Sequence, residues 1–370
     1  MPRLLFVVNA DWFFLSHRLP LALAAMQAGF EVHLATAVTD RAEEITRYGI
    51  KLHPLNIHRR SANPIEAGKL FVSLYSLIRS LSPTVVHLVT IKPVLLGGLA
   101  ARLARVPRVI AAISGLGFVF TARGRGAYFR KLLVSSLYRL ALAHKRVRVI
   151  FQNGDDQAIL QRHAGIGDSQ VVRIRGSGVD LSAWPVVALP DASPIVMMAS
   201  RLLKDKGVLE FVAAARLLHG HTSARFVLVG SVDPGNPTSL RSEELERWVE
   251  EGVIEWWGVR NDMPAVLPMA HIVVLPSYRE GLPKGLVEAA ACGRAVVTTD
   301  VPGCRDAIEP GVSGLLVEVR NPEALAAGIQ KLLDDAQLLT SMGAAGRQLA
   351  EEAFDIRGII DQHLSLYEGR

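Results

Sequence analysis

Continuous apolar runs rich in β-branched residues alternate with longer stretches of helical period, and this happens twice along the chain. That double alternation constrains the fold more than any other feature. Residues 4–9, 31–35, 85–89, 108–112 and 147–151 read as strands, with helix-like stretches such as 17–29 and 63–81 between them. Strands that are apolar on both faces belong in a parallel sheet covered by helices on either side. Segment 187–194, with Pro190 and Pro194, breaks the pattern and reads as a linker. After it, 195–200, 225–229, 255–257, 272–275, 295–298 and 314–317 read as strands, with helices starting near Gly207, Ser242, Met263, Gly285 and Pro322. The expectation is an α/β chain of two Rossmann-like, doubly wound domains, 1–186 and 187–353, facing a central cleft. Residues 354–370 read as a final helix that packs back on the first of them.

Composition removes several classes. Of 370 residues only Cys292 and Cys304 are cysteines, and no Cys-x-x-Cys or His cluster lies near either. A disulfide framework and a structural zinc are not expected, which suits a reducing cytoplasm. The first apolar run is too short for a signal peptide. The longest apolar stretch, 109–120, contains Ser114, Gly115 and Gly117 and falls short of the roughly 18 residues a membrane span needs. Charge is distributed unevenly: residues 1–185 hold 24 Lys/Arg against 10 Asp/Glu, and residues 186–370 hold 17 against 25. No acidic residue lies between Glu66 and Asp155, where 14 basic ones fall. The first half therefore calls for an anionic partner.

The richest segment reads strand, loop, helix: Ile272 to Ser277, then Glu280-Gly281-Leu282-Pro283-Lys284-Gly285-Leu286-Val287-Glu288. Gly281 and Gly285 let backbone approach a ligand, and Pro283 fits near a helix start. The free N–H groups of that helix start suit a phosphate. A loop carboxylate, Glu280, can accept from sugar hydroxyls, and Glu288, two turns along, can reach a ribose.

In this setting Glu-x7-Glu resembles the donor motif of the retaining, family-4-type glycosyltransferases of the GT-B fold. Further segments are similar to that family in the same order: Arg201…Lys206-Gly207, Val227-Leu-Val-Gly230, Trp257-Gly258-Val-Arg260, and Gly176-Ser-Gly-Val179-Asp180. Asn9-Ala-Asp11…Ser16-His17-Arg18-Leu-Pro20 and Phe118-Val-Phe-Thr121 resemble the branch that builds bacterial capsule and O-antigen repeat units.

The resemblance implies a UDP-sugar co-substrate, an N-acetylhexosamine as the sugar moved, and a polyprenyl-diphosphate-linked sugar as acceptor. It gives Arg201 and Lys206 the donor diphosphate, Glu280 the donor sugar, Glu288 the ribose, and the segment of Gly258 and Arg260 the base side. Gly281, Leu282, Pro283, Lys284, Gly285 and Leu286 form the rest of the donor loop. No metal and no cofactor are expected, because two cations and a helix dipole supply the charge that the leaving diphosphate needs. Where many relatives carry a histidine this chain has Ser114, which leaves His17 as the substitute catalytic imidazole or a plain loop histidine. His87, inside a strand, reads as a core residue, and Asp180 as either a turn former or a ligand.

Segment 123–142 mixes Arg123, Arg125, Arg130 and Lys131 with aliphatic residues; Phe129, Leu132, Leu133, Leu137 and Leu140 can share one face. This suits an interfacial helix on anionic lipid, placing the protein peripherally on the inner face of the cell membrane. The alternative is a core-packed helix with solvated arginines. A nucleic-acid partner is not expected, because no reader motif accompanies the cations. Two other functions use the same fold: a nucleotide-sugar epimerase, and a non-catalytic scaffold of polysaccharide assembly. A dinucleotide oxidoreductase lacks its Gly-x-Gly-x-x-Gly after the first strand.

Overall fold

A computed structural model describes residues 1–57, 63–116, 120, 124–143, 146–233 and 235–370, without the side chains of 125 and 127–129. The chain divides into two compact units, 1–177 with 358–370, and 178–357. The first holds a seven-stranded parallel sheet: β1 (Arg3–Val8), β2 (Glu31–Thr36), β3 (Lys51–Pro54), β4 (Val85–Val89), β5 (Arg108–Ile113), β6 (Val147–Phe151) and β7 (Val171–Arg173). Their order is β3-β2-β1-β4-β5-β6-β7. The second holds six parallel strands: β8 (Ile195–Ala199), β9 (Arg225–Val229), β10 (Glu255–Trp256), β11 (Ile272–Leu275), β12 (Ala295–Thr299) and β13 (Gly314–Val317), ordered β10-β9-β8-β11-β12-β13.

Burial on both faces explains the unbroken apolar runs. In β1, Leu5 and Val7 enter one core while Leu4, Phe6 and Val8 enter another on the opposite face, and all five are buried. The final helix, Ile356–Glu368, covers the second of these faces with Ile359, His363 and Tyr367, four residues apart. Tyr367 packs its ring edge-on against Phe6 and Phe30, and its hydroxyl lies 2.6 Å from His87 Nδ1. Residues 358–370 thus belong to the first unit.

Three expectations shift. The expected helix 17–29 is Leu19–Gln27, with Pro20 in its first turn, and His17 instead ends a separate helix, Asp11–His17. β3 and β7 are short, partly exposed edge strands with no apolar run to announce them. The unit boundary falls at 177/178 rather than 186/187, between Gly176 and Gly178, both at positive φ. The expected linker is wired into the second unit. Arg294 donates to the carbonyls of Val187, Ala188 and Pro268, His271 meets the Pro190 carbonyl, and Arg347 donates to those of Trp184 and Ala291.

Arg294 is only 2% exposed, and its guanidinium is satisfied by carbonyls. Removing it strands those buried acceptors. Arg294→Met is therefore expected to lower the melting temperature by roughly 5–10 °C, read by differential scanning calorimetry.

Candidate functional site

In doubly wound sheets ligands gather at the carboxyl ends of the strands where the strand order reverses. In the second sheet that point lies between β8 and β11. The loop after β8 ends in a single turn, Lys204–Lys206, closed by Gly207. The loop after β11 runs from Pro276 to Pro283. The two are stitched together: Tyr278 N donates to Asp205 O at 2.9 Å, and Lys206 Nζ pairs with Glu280 Oε1. Ser277 Oγ donates to the same carboxylate oxygen at 2.7 Å.

Two glycines allow this closeness. Gly207 has φ +79°, and a Cβ there would lie 2.2 Å from Pro276 O. Gly303, in the loop after β12, has φ +83°, and its Cβ would meet the Glu280 carbonyl at 2.6 Å. Glu280 N donates to Pro302 O at 3.0 Å, so loops from three adjacent strands fix this carboxylate.

Behind the pair, Tyr278 donates to Glu210 Oε1 at 2.7 Å while Arg320 lies 4.4 Å from its ring centroid. Burial and Glu210 push the Tyr278 phenol up to about 12, so it stays a donor. Helix Lys284–Ala291 starts beside β8: a Cβ on Gly285 would lie 3.3 Å from Ala199 O. Glu288 is in this helix, largely buried, with Lys284 Nζ at 3.3 Å. Desolvation raises its pKa, and Lys284 opposes the rise.

Arg201, just after β8, pairs with Asp233 at 3.3 Å rather than with a donor-loop carboxylate. Gly258 accepts from Gly230 N at 2.8 Å, and exposed Arg260 forks onto Asp262 at 2.6 and 2.8 Å. Lys206, Glu280 and helix Lys284–Ala291 thus come together, while Arg201 and Arg260 face their own acidic neighbours. Sequence reasoning passed over Ser277, Tyr278, Glu210, Asp233 and Gly303. Ser277 and Tyr278 lie in the same Ser-Tyr-Arg-Glu string as Glu280, but Glu210 comes from the helix Val208–Leu218 and Asp233 and Gly303 from distant loops.

The first unit holds the remaining candidates. Its order reverses between β1 and β4. After β1, buried Asp11 accepts from Thr39 N and Thr39 Oγ1 at 2.6 and 2.9 Å, fixing that loop. His17 Nδ1 lies 3.2 Å from Ser177 Oγ, and its ring centroid is 4.3 Å from that of Phe13. After β4, Thr90 adopts φ +75°, a strained conformation for a β-branched residue. Ser114 Oγ is buried with no hydrogen-bond partner among the described residues. His87 is fully buried against Tyr367, and desolvation pushes its pKa well down, so it is a neutral core residue. Asp180 accepts from Ser182 N and Oγ at 3.0 and 2.6 Å, the hydrogen bonds of a turn former.

Helix Arg125–Leu142 has two apolar sides. Tyr138, Ala141 and Leu142 are buried and Leu137 packs against the core, so Leu137 does not share the outer face as expected. Leu132, Leu133 and Leu140 are 55%, 61% and 52% exposed, alongside exposed Arg130 and half-buried Lys131. Arg123 and the Arg125 side chain lie outside the described residues, as do 118, 119 and 121 of the Phe118–Thr121 motif. Among the described residues no helix is long and apolar enough to cross a membrane.

Known proteins resemble this chain in sequence and in fold. Residues 193–335 match the family described as glycosyl transferases group 1, and residues 3–153 match glycosyl transferase 4-like. The chain is 30% identical, across 96% of its length and 97% of the relative's, to N,N'-diacetylbacillosaminyl-diphospho-undecaprenol alpha-1,3-N-acetylgalactosaminyltransferase of Campylobacter jejuni. It is 25% identical, over 83% of itself and 81% of the relative, to UDP-Gal:alpha-D-GlcNAc-diphosphoundecaprenol alpha-1,3-galactosyltransferase of Escherichia coli. Sucrose-phosphate synthase from Thermosynechococcus elongatus superposes with a TM-score of 0.81 at 22% identity, covering 100% of this chain and 99% of that one. Anabaena HepE, solved with UDP and glucose, superposes with a TM-score of 0.80 at 17% identity, covering all of both chains. The chain belongs to the group 1, family-4-like glycosyltransferases and has their GT-B fold.

The raised pKa of Glu288 gives a test of its environment. A carboxyl whose pKa is higher folded than unfolded loses stability as pH climbs from the unfolded value through the folded one. Glu288→Gln is therefore expected to raise the melting temperature by roughly 1–3 °C at pH 7.5, with the gain vanishing near pH 4 where the acid is protonated in both states.

Proposed function

We propose that this glycosyltransferase moves a hexosyl residue, with retention, from a UDP-sugar to a polyprenyl-diphosphate-linked sugar during assembly of a bacterial surface polysaccharide. The observation that carries the donor half is the meeting of Lys206 and Glu280 at the reversal point of the second sheet, beside the start of helix Lys284–Ala291. Lys206, Arg201 and the N–H groups of that helix stabilise the diphosphate as the glycosidic bond breaks, without a metal or cofactor. Glu280 orients the donor sugar through its hydroxyls, and Glu288 holds the ribose. Gly281 to Leu286 line the donor, and Gly258 and Arg260 lie towards the base. The leaving phosphate takes the acceptor proton, with His17 orienting the acceptor in place of the histidine that Ser114 replaces.

The names of the Campylobacter and Escherichia relatives, both α-1,3-transferases acting on diphosphoundecaprenol-linked sugars, support this acceptor class. The first of them is named as an N-acetylgalactosaminyltransferase, which supports an N-acetylhexosamine as the sugar moved here. The exposed leucines and cations of helix Arg125–Leu142 support docking on the anionic inner face of the cell membrane, with Arg123, Arg125, Arg130 and Lys131 meeting lipid phosphates.

Lys206→Ala and Glu288→Ala are each expected to weaken UDP-sugar binding about tenfold or more with the fold retained. Unchanged donor affinity in both, by calorimetry, refutes the site. A thermal-shift panel of nucleotide sugars identifies the base and sugar. Arg130→Glu with Lys131→Glu is expected to reduce pelleting with phosphatidylglycerol liposomes by roughly half or more, and equal pelleting of variant and parent refutes the docking surface.

A further inference from the structure

Arginines collect at the other edge of the first sheet, where its strands begin. Arg108 opens β5, while Arg146 and Arg148 flank the first residue of β6. The register pairs Val109 with Val147 and Ile110 with Arg148, so Arg108 and Arg146 stand opposite one another. Residues two apart in a strand share a face, which puts all three guanidiniums on one side of two neighbouring strands. With Arg370 they line a cavity of about 340 Å³ that also includes Ile110 and Leu366, and among the described residues no Asp or Glu lines it.

Like charges directly opposite across strands are destabilising, and a guanidinium does not relieve the repulsion by losing its proton. No acid lies between Glu66 and Asp155 in the sequence, and Arg370 is paired with Glu368 at 2.8 Å. Arg108 is nonetheless seated firmly. Its Nη1 donates to Tyr367 O at 2.6 Å, and Gly369, at φ +82°, stands so close that a Cβ would fall 2.3 Å from its Nη2. Gly369 holds a positive φ that side chains rarely adopt, and its lack of a Cβ leaves that guanidinium undisturbed. Apolar walls from Ile110 and Leu366 reduce the screening of the charges.

We propose that this cavity is a second anion site, which binds a phosphorylated ligand through its phosphoryl oxygens. Guanidinium forks match phosphoryl geometry, and the volume admits a phosphate or diphosphate with part of its ester. The site is independent of the reaction proposed above: the donor residues lie in the second unit, and the loops of Asp11 and His17 leave the opposite edge of the first sheet. Such a group is offered either by a soluble phosphate ester or by the headgroup of an anionic phospholipid.

The test titrates sodium pyrophosphate by calorimetry into full-length protein saturated with UDP, so that the donor site is filled. The parent is expected to show a binding event that Arg146→Glu with Arg148→Glu weakens at least about tenfold, with Arg146→Gln and Arg148→Gln intermediate and UDP affinity equal in all. Pyrophosphate isotherms that coincide in parent and variants overturn the site, as does a loss of UDP affinity in step with pyrophosphate. Pelleting with phosphatidylglycerol vesicles separates the sources. A headgroup ligand predicts that the variants pellet less and that pyrophosphate releases the parent, whereas a soluble ligand predicts equal pelleting with the isotherm difference kept. Reduced pelleting with unchanged isotherms means diffuse surface charge and overturns the cavity.

Discussion

The pairing of Lys206 with Glu280 is the interaction on which the proposed donor site depends. It joins the loop after β8 to the loop after β11 at the point where the second sheet reverses its strand order. Both side chains are mostly buried, and a partly desolvated pair contributes little net stability unless further hydrogen bonds complete it. Ser277 supplies one of these, and the backbone bonds from Tyr278 to Asp205 and from Glu280 to Pro302 hold the geometry. The close approaches at Gly207 and Gly303 follow from the same demand, since three loops must converge for the carboxylate to be held. In the proposed reaction the donor diphosphate competes with Glu280 for Lys206, which couples donor entry to release of the carboxylate towards the sugar.

Charge is treated differently in the two units. In the second unit the cations at the site each face an acid: Lys206 with Glu280, Arg201 with Asp233, Lys284 with Glu288. The first unit has fewer acids; beside surface pairs such as Arg3 with Glu31, carbonyls and burial hold two of its arginines. Arg108 donates to the last turn of the C-terminal helix, and Arg18 is buried beside His87 and His363, where desolvation lowers it to about 10. Neutral imidazoles suit that setting, because each is pushed down by burial and by Arg18. This polar cluster lies where the C-terminal helix returns to the first sheet.

The strands were legible wherever both faces are buried. Eleven of the thirteen strands fall where the apolar runs predict them, within a residue at either end, because a run apolar on two sides leaves few other solutions. β3 and β7 lie at the sheet edge with exposed residues, and a four-residue Lys-Leu-His-Pro has nothing periodic to read. The two prolines of 187–194 correctly mark irregular chain. Irregular chain is not the same as a boundary, and Arg294 and His271, both remote in sequence, bind that segment into the second unit.

The sequence by itself determined the α/β class, the double repeat, the family, and the local string that carries Glu280, the helix start and Glu288. Each of these is written in short-range patterns: period, glycine and proline placement, and the spacing of two carboxylates on one strand–loop–helix unit. Tertiary structure alone decided which charges are shared. That Lys206 takes Glu280 while Arg201 takes Asp233, that Gly303 must lack a side chain, and that Arg108, Arg146 and Arg148 fall on one face are consequences of strand order and register. Parallel strands bring together residues that are tens of positions apart, and which ones meet is set by the sheet rather than by their neighbours in the chain.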